Sequence, residues 1–331
     1  MSKREKPVRR TAVGGQALIE GVMMRGVSKG AMAVRTKSGS IDLEVWELGE
    51  KKWYQKCPFV RGIFNFVLQL KDGMKYMNKS MEKSGYLEDE ENEEPTKFEK
   101  WLDKTLGKNA AEIVGGIGAF VGVALAIVLF LFVPTWAFTG LQALFGETDI
   151  SPFRSLFEGI LKIAVYVAYL ALTSLMKDIR RTYEYHGAEH KTIATYEAGE
   201  ELTVENVKKH TRFHPRCGTS FIFLVLAVSI LVTTLVPINS ENFIAWFGVT
   251  KLVGDLLRIA CKIILLPFIV GISYELIKIA GRYDNPVTAV ISAPGLALQR
   301  LTTKEPDSKQ IECAIAAIKP VLPAEGEDDR W

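Results

Sequence analysis

The chain has 331 residues, of which 48% are hydrophobic and 24% charged, and its formal net charge is +3. That mixture excludes an ordinary soluble enzyme and a pure transporter, and the small charge, with no basic stripe carrying interleaved aromatics, excludes nucleic acid as a partner. The cysteines, Cys57, Cys217, Cys261 and Cys313, are scattered without a C-x-x-C, which argues against a disulfide framework or a four-thiolate zinc site and suits a reducing compartment.

Residues 1–11 read as a disordered basic arm (Lys3, Arg4, Lys6, Arg9, Arg10), weakly attracted to anionic lipid heads. They are no signal peptide, because Gly14-Gly15-Gln16 and Glu20 interrupt any apolar run. Residues 12–86 are expected to form a small cytoplasmic α+β domain. Within it, 12–27 reads as a glycine-punctuated strand and loop. Residues 31–47 alternate, with Ala31, Ala33 and Arg35 against Met32, Val34 and Thr36, and, after Ser38-Gly39-Ser40, Ile41, Leu43 and Val45 against Asp42, Glu44 and Glu47. This predicts a β-hairpin that needs a further partner. Phe59–Glu82 has the 3.6-residue period of an amphipathic helix, either a core helix under the hairpin or one lying on a bilayer surface. The acidic run from Leu87 to Glu94 marks a solvated linker, assigned to 87–96.

Residues 97–284 are expected to be a transmembrane domain with four spans: Val114–Val133, Ile160–Met176, Ser220–Val236, and Ile259–Ile279, the last kinked at Pro267. Eight Lys and Arg lie between Lys177 and Arg216, whereas Arg154 is alone between Pro134 and Gly159. The positive-inside rule therefore places both termini and the 177–218 loop in the cytoplasm. The first three spans show no buried charges that would mark an ion path, which disfavours a transporter. Residues 285–331 are expected to carry a cytoplasmic helix, Pro306–Ile318, capped by Thr303 or Glu305, and a disordered tail from Glu325.

All four histidines, His186, His190, His210 and His214, fall within 29 residues of that loop. His186-Gly187-Ala188-Glu189-His190 is H-x-x-E-H, and on a helix positions i, i+3 and i+4 share one face. Two imidazoles and a carboxylate on one face suit a divalent transition metal, zinc foremost, and a general base, Glu189. His214 and Cys217 form a second pair across a Pro-containing turn. The same motif is the inverted zinc-hydrolase signature, in which a distant glutamate completes the shell. Glu275 is the candidate for it, its bland alternative being a snorkelling charge beside Lys278. A plain polar loop is the bland alternative for the histidines, and a small buried hydrophobe that for Cys217. In the N-terminal glycine motif, Gly14 to Gly26, Gln16, Glu20 and Arg25 are candidates to line the same site, the alternative being glycines that make tight turns.

Gly14-Gly15-Gln16-Ala17 with Glu20-Gly21-Val22-Met23-Met24-Arg25, Tyr185-His186-Gly187-Ala188-Glu189-His190-Lys191, and His214-Pro215-Arg216-Cys217-Gly218-Thr219-Ser220 together resemble the YqhQ family over nearly the whole chain. The resemblance implies a bacterial multi-pass membrane protein and a predicted metal-dependent enzyme, without a substrate or cofactor. The sequence thus leads to an α-helical polytopic membrane protein with a small N-terminal α+β domain. Its expected role is that of a metal-dependent membrane enzyme of hydrolase type in the bacterial cell membrane, with the lipid bilayer, an unknown substrate or protein, and a second copy of itself as partners. A non-enzymatic scaffold or assembly factor, with a structural metal or none, is the competing class.

Overall fold

The computed structural model describes residues 10–50, 52–86, 120–122, 124–146, 148, 150–236, 239–283, 285–324 and 327–330. The arm up to residue 9, the acidic linker and the first residues of the first expected span lie outside these.

The alternating N-terminal sequence forms an antiparallel meander of four strands in the order β1-β2-β3-β4: β1 Gly14–Leu18, β2 Gly21–Arg25, β3 Lys29–Arg35 and β4 Ile41–Glu47. The segment 12–27 thus supplies two strands. They reverse through Ile19-Glu20 with Leu18 opposite Gly21. Glu20 adopts φ 53° there, a conformation unusual for a residue with a side chain. Its surroundings hold it: its carbonyl accepts from the Arg35 amide at 2.7 Å, and its carboxylate binds Arg181 and Tyr185.

Successive strand residues point to opposite faces, and in β2 and β3 both faces are buried. Val22, Met24, Ala31 and Ala33 pack with Tyr185, Ala188, Ile193 and Ile311, from two helices of the second half. Met23, Met32 and Val34 pack on the other face with Tyr76 and Met77 of α1, Val60–Ser84. Trp46 stacks on Tyr76 with ring centroids 4.5 Å apart, and Lys79–Glu44 and Lys83–Asp42 pairs flank the stack. Gly85, at φ 72°, ends α1 with a left-handed cap. One side of α1 is therefore a core helix under the sheet. Its other side leaves Phe64, Val67, Leu70 and Met74 exposed.

Four helical segments are long and apolar enough to cross a membrane: Phe120–Leu144 (α2), Ser151–Thr173, Gly218–Phe247 and Lys251–Arg282. The second contains α3, Arg154–Thr173. Helix α4, Lys177–Glu197, begins after a short break and carries the H-x-x-E-H. Helix α5, Val204–Lys209, starts where Thr203 accepts from the Asn206 amide, as its sequence indicates. The third segment is α6, Gly218–Leu235, followed by α7, Ser240–Phe247. The fourth is α8, Lys251–Arg282, helical across Pro267.

Three expectations are corrected. First, the second and fourth helical segments extend beyond the expected Ile160–Met176 and Ile259–Ile279, and buried charge occurs in those extensions. Glu158 on α3 is 3% exposed and is bound by Arg154 and by Arg258 of α8, each at 3.0 Å. Second, helix α9, Pro286–Thr302, is not evident in a sequence containing Pro294 and Gly295. It forms because Asn285 and Thr288 make a reciprocal capping box and Pro286 suits the first turn, and it packs on α6 where Gly295 meets Ser220. The following helix, α10 Ser308–Ile318, is capped by Asp307 with Gln310 in place of Thr303 or Glu305. Third, the tail is not free. Thr11 bridges to Arg330, and its hydroxyl donates to Asp329 at 2.7 Å. The C-terminal helix α10 lies in the core of the N-terminal sheet.

Candidate metal centre

Helix α4 packs across β1 and carries His186, Glu189 and His190 on one face. Gly187, between them, is where the carbonyl of Lys304 comes too close to admit a side chain, so the segment after α9 can lie directly on α4. Lys304 also donates its amide to the Tyr183 carbonyl at 2.8 Å. The turn ahead of α6 brings Cys217 up to the two imidazoles as the N-cap residue of that helix.

Each histidine is oriented through its Nδ1. That of His186 is 2.8 Å from the Thr302 carbonyl and that of His190 is 2.6 Å from the Arg212 carbonyl. A carbonyl only accepts, so both Nδ1 atoms carry protons and each ring is left to present its Nε2 to the site. Metal-binding histidines are commonly prepared in this way. His186 Nε2 lies 3.3 Å from Cys217 Sγ, and the two rings are 4.4 Å apart. One donor atom each from His186, His190 and Cys217 falls within 4.8 Å of the others. His190 and Cys217 are buried, and His186 is partly exposed. Two imidazoles and a thiol are a donor set that suits zinc and leaves a fourth position open.

The electrostatics agree with this donor set. Burial raises a thiol, yet the charges of His186 and His190 bring Cys217 well below the ordinary thiol range. Burial opposes charge on His186, but the neighbouring Cys217 raises it to about 9. The Thr219 hydroxyl, 3.2 Å from Sγ, is a further partner. Glu189 is 5% exposed, and burial raises its carboxyl above the usual carboxylate range. Its carboxylate lies 4.0 Å from His186 Nε2, and the backbone of Gly15 bonds to it. A Cβ on Gly15 would meet Met23 O and Glu189 Cγ. The N-terminal glycine motif therefore reaches the site through backbone.

The remaining candidates lie elsewhere. His214 is buried, with its amide and carbonyl both bonded to the Gln299 side chain. Its ring is 5.5 Å from that of His190, but its Nε2 faces Arg216 at 3.1 Å and Glu197 at 3.7 Å. Burial and the Arg216 charge lower His214 to about 4. Burial alone would raise Glu197, but His214 and Arg216 bring it to about 2. His214 is thus a neutral member of an ion-pair network that also takes the Thr11 amide at 2.8 Å. His210 pairs with Glu200 at 3.2 Å. Glu275 is held by Arg61 and the Phe59 amide, Arg25 pairs with Asp72 at 3.3 Å, and Glu20 is held by Arg181. The Gln16 amide group packs beside Gly73 of α1. Sequence reasoning missed Gly15, Arg212 and Thr302, which act through backbone atoms. It also missed Glu197, Arg216 and Gln299, which hold the turn.

A buried imidazole–thiolate cluster, at the junction of a small sheet domain and four helices of membrane-spanning dimensions, defines a multi-helix membrane-type protein with a candidate metal centre. Residues 57–324 match the family described as Protein of unknown function (DUF1385). The chain is 32% identical over 333 residues to the "Uncharacterized protein YqhQ" of Bacillus subtilis (strain 168), covering 97% of this chain and 95% of that protein. It belongs to this YqhQ-like family. No solved structure matches it.

Proposed function

We propose that the protein is a metal-dependent membrane enzyme of hydrolase type, with zinc held by His186, His190 and Cys217 near the cytoplasmic surface of the bacterial cell membrane. The observation that carries this reading is the pair of histidines whose Nδ1 atoms are committed to backbone carbonyls while their Nε2 atoms converge on a buried thiol. When bound, zinc supplies Lewis acidity toward a substrate carbonyl or phosphoryl oxygen and toward water. Glu189 is the general base. Its burial holds its proton affinity above that of a surface carboxylate, nearer neutrality, where a base transfers protons effectively. Gly15 N–H steadies that carboxylate. Cys217 immediately precedes a candidate span, so a substrate can reach the site laterally from lipid. The density of Lys and Arg in 177–216 supports a cytoplasmic site and cytoplasmic termini.

Metal analysis of the purified protein tests this. Wild type is expected to hold about one zinc per chain, and His186→Ala/His190→Ala and Cys217→Ser to lose it. Equal metal in wild type and the double variant removes the proposal. A scaffold with a structural metal is the second reading, because the same cluster ties α4 to the turn before α6. Glu189→Gln separates the two: an enzyme keeps its metal and loses cellular function, whereas a scaffold keeps both.

A further inference from the structure

The sheet of the N-terminal domain ends in an open edge. The order β1-β2-β3-β4 leaves the outer side of β4, Ile41–Glu47, without a neighbouring strand. The bonds that flank the β3–β4 ladder fix its polarity: Thr36 N–H donates to the Ser40 carbonyl at 2.9 Å and Leu48 N–H to the Ser28 carbonyl at 2.7 Å. In an antiparallel ladder bonded pairs alternate with unbonded ones, so Asp42, Glu44 and Trp46 are the β4 residues that bond to β3. Ile41, Leu43, Val45 and Glu47 therefore turn both N–H and C=O outward, and no described residue takes them up.

The side chains along this edge are as exposed as its backbone. Leu43 is 46% exposed and Val45 45%, both on the face of the sheet that carries α10. Beside them lies an open groove of about 730 Å³, with Leu43, Leu202, Val204, Ile315, Ala316 and Pro320 in its walls. On the other face Lys79 and Lys83 of α1 already match Asp42 and Glu44. Solitary edge strands are usually protected by a proline, a bulge or an unmatched charge, and β4 has none of these.

We infer that β4 is the interface between two copies of this chain, paired antiparallel with β4 of the partner subunit about a two-fold axis at Glu44. Only the register centred on Glu44 pairs the strand over its full length. It also joins outward-facing backbone to outward-facing backbone: Leu43 with the partner's Val45, and Ile41 with the partner's Glu47. Leu43 and the partner's Val45 then lie side by side on the α10 face, where directly opposite side chains stabilise a sheet. At the axis Glu44 meets the partner's Glu44, and Lys79 and Lys83 of each copy neutralise that contact. A two-fold axis normal to the sheet keeps both α10 helices on one face and both α1 helices on the other. The exposed Phe64, Val67, Leu70 and Met74 of the two copies then face the same way, as two copies in one membrane require. This self-complementary pattern and common orientation favour a second copy over a foreign strand.

The test uses the full-length protein. In mild detergent, light scattering is expected to give a protein mass of twice 36.9 kDa. Val45→Pro should reduce it to that of one chain with unchanged circular dichroism, because the N–H it removes faces outward and costs the monomer no ladder bond. In isolated membranes, in a Cys57→Ser background, Glu44→Cys should cross-link to its counterpart under mild oxidation. Directly opposite unbonded residues have Cα atoms about 4.5 Å apart, which a disulfide spans. Asp42→Cys should not cross-link, because its counterpart lies roughly 13 Å along the strand. A dimer that survives Val45→Pro and gives no Glu44→Cys cross-link lies elsewhere on the molecule and overturns the proposal, as does equal cross-linking at 42 and 44. A monomeric wild type without the cross-link overturns it too, and leaves the edge to a foreign strand. The cross-linking comparison decides even if Val45→Pro fails to fold.

Discussion

Cys217 Sγ and His186 Nε2 are 3.3 Å apart, and the same imidazole is anchored at Nδ1 by the Thr302 carbonyl. Without metal this is an ion pair, in which the thiol falls well below its ordinary range and His186 rises to about 9. A metal must replace the proton on His186 Nε2, so binding releases one proton below that pKa. Affinity for zinc or cobalt should therefore rise about tenfold per pH unit up to about pH 9 and level off above it. A competition titration against a chromophoric chelator across that range measures the slope. A flat profile would show that His186 is not a ligand.

Adjacent glycines in β1 give a sharper test of the link between the N-terminal motif and the site. A Cβ at Gly14 meets nothing within 4 Å, whereas one at Gly15 would press on Met23 O and Glu189 Cγ. Gly15→Ala should destabilise the fold by about 2 kcal/mol and displace Glu189. Gly14→Ala should stay within about 0.5 kcal/mol. Thermal unfolding of the two variants checks this, and equal midpoints would mean that β1 does not seat Glu189.

Much of this architecture was legible because it rests on period and composition. The alternation in 31–47, the amphipathic period of α1 and the long uncharged runs each appear as elements. The H-x-x-E-H also predicted its own geometry, since helical spacing alone puts His186, Glu189 and His190 together. What failed was tertiary. Glu275 and His214 have the right chemistry for ligands, but Arg61 claims one and the Arg216–Glu197 pair faces the other. Spacing along the chain cannot reveal such competition. Gly15, Arg212 and Thr302 act through backbone atoms, which residue identity barely records. Helix α9 was missed because Pro294 and Gly295 suggest a break, and only its capping box and packing on α6 outweigh them.

The network beneath the turn predicts how stability depends on pH. Glu197 drops to about 2 in the folded chain and His214 to about 4, each below its unfolded value. For both groups the unfolded state binds more protons, so stability rises with pH. The His214 contribution is complete above its unfolded pKa of about 6.5 and is lost as pH falls toward 4. That of Glu197 is complete above about 4.5 and is lost toward 2. Each is on the order of 3 kcal/mol. Chemical unfolding from pH 8 to pH 4 should show a falling midpoint, and His214→Asn should flatten the part above pH 4. An unchanged pH profile in that variant would assign the fall to other groups.

The exposed side of α1 supports the last prediction. Gly62 abuts Gly271 and Tyr274 of α8, and Arg61 pairs with Glu275. These α8 residues precede its end at Arg282 by roughly 10–16 Å at 1.5 Å per residue. The start of α1 therefore sits alongside a candidate span, and Phe64, Val67, Leu70 and Met74 continue from there as one exposed apolar stripe. Lys71 and Lys75 follow the stripe, as expected of a helix at an anionic surface. In nanodiscs, a bimane label at Val67→Cys or Met74→Cys, in a Cys57→Ser background, should emit to the blue and be quenched by brominated lipid. The same label at Glu82→Cys should not. Equal quenching at positions 67 and 82 would return this face of α1 to water and leave it free for a protein partner.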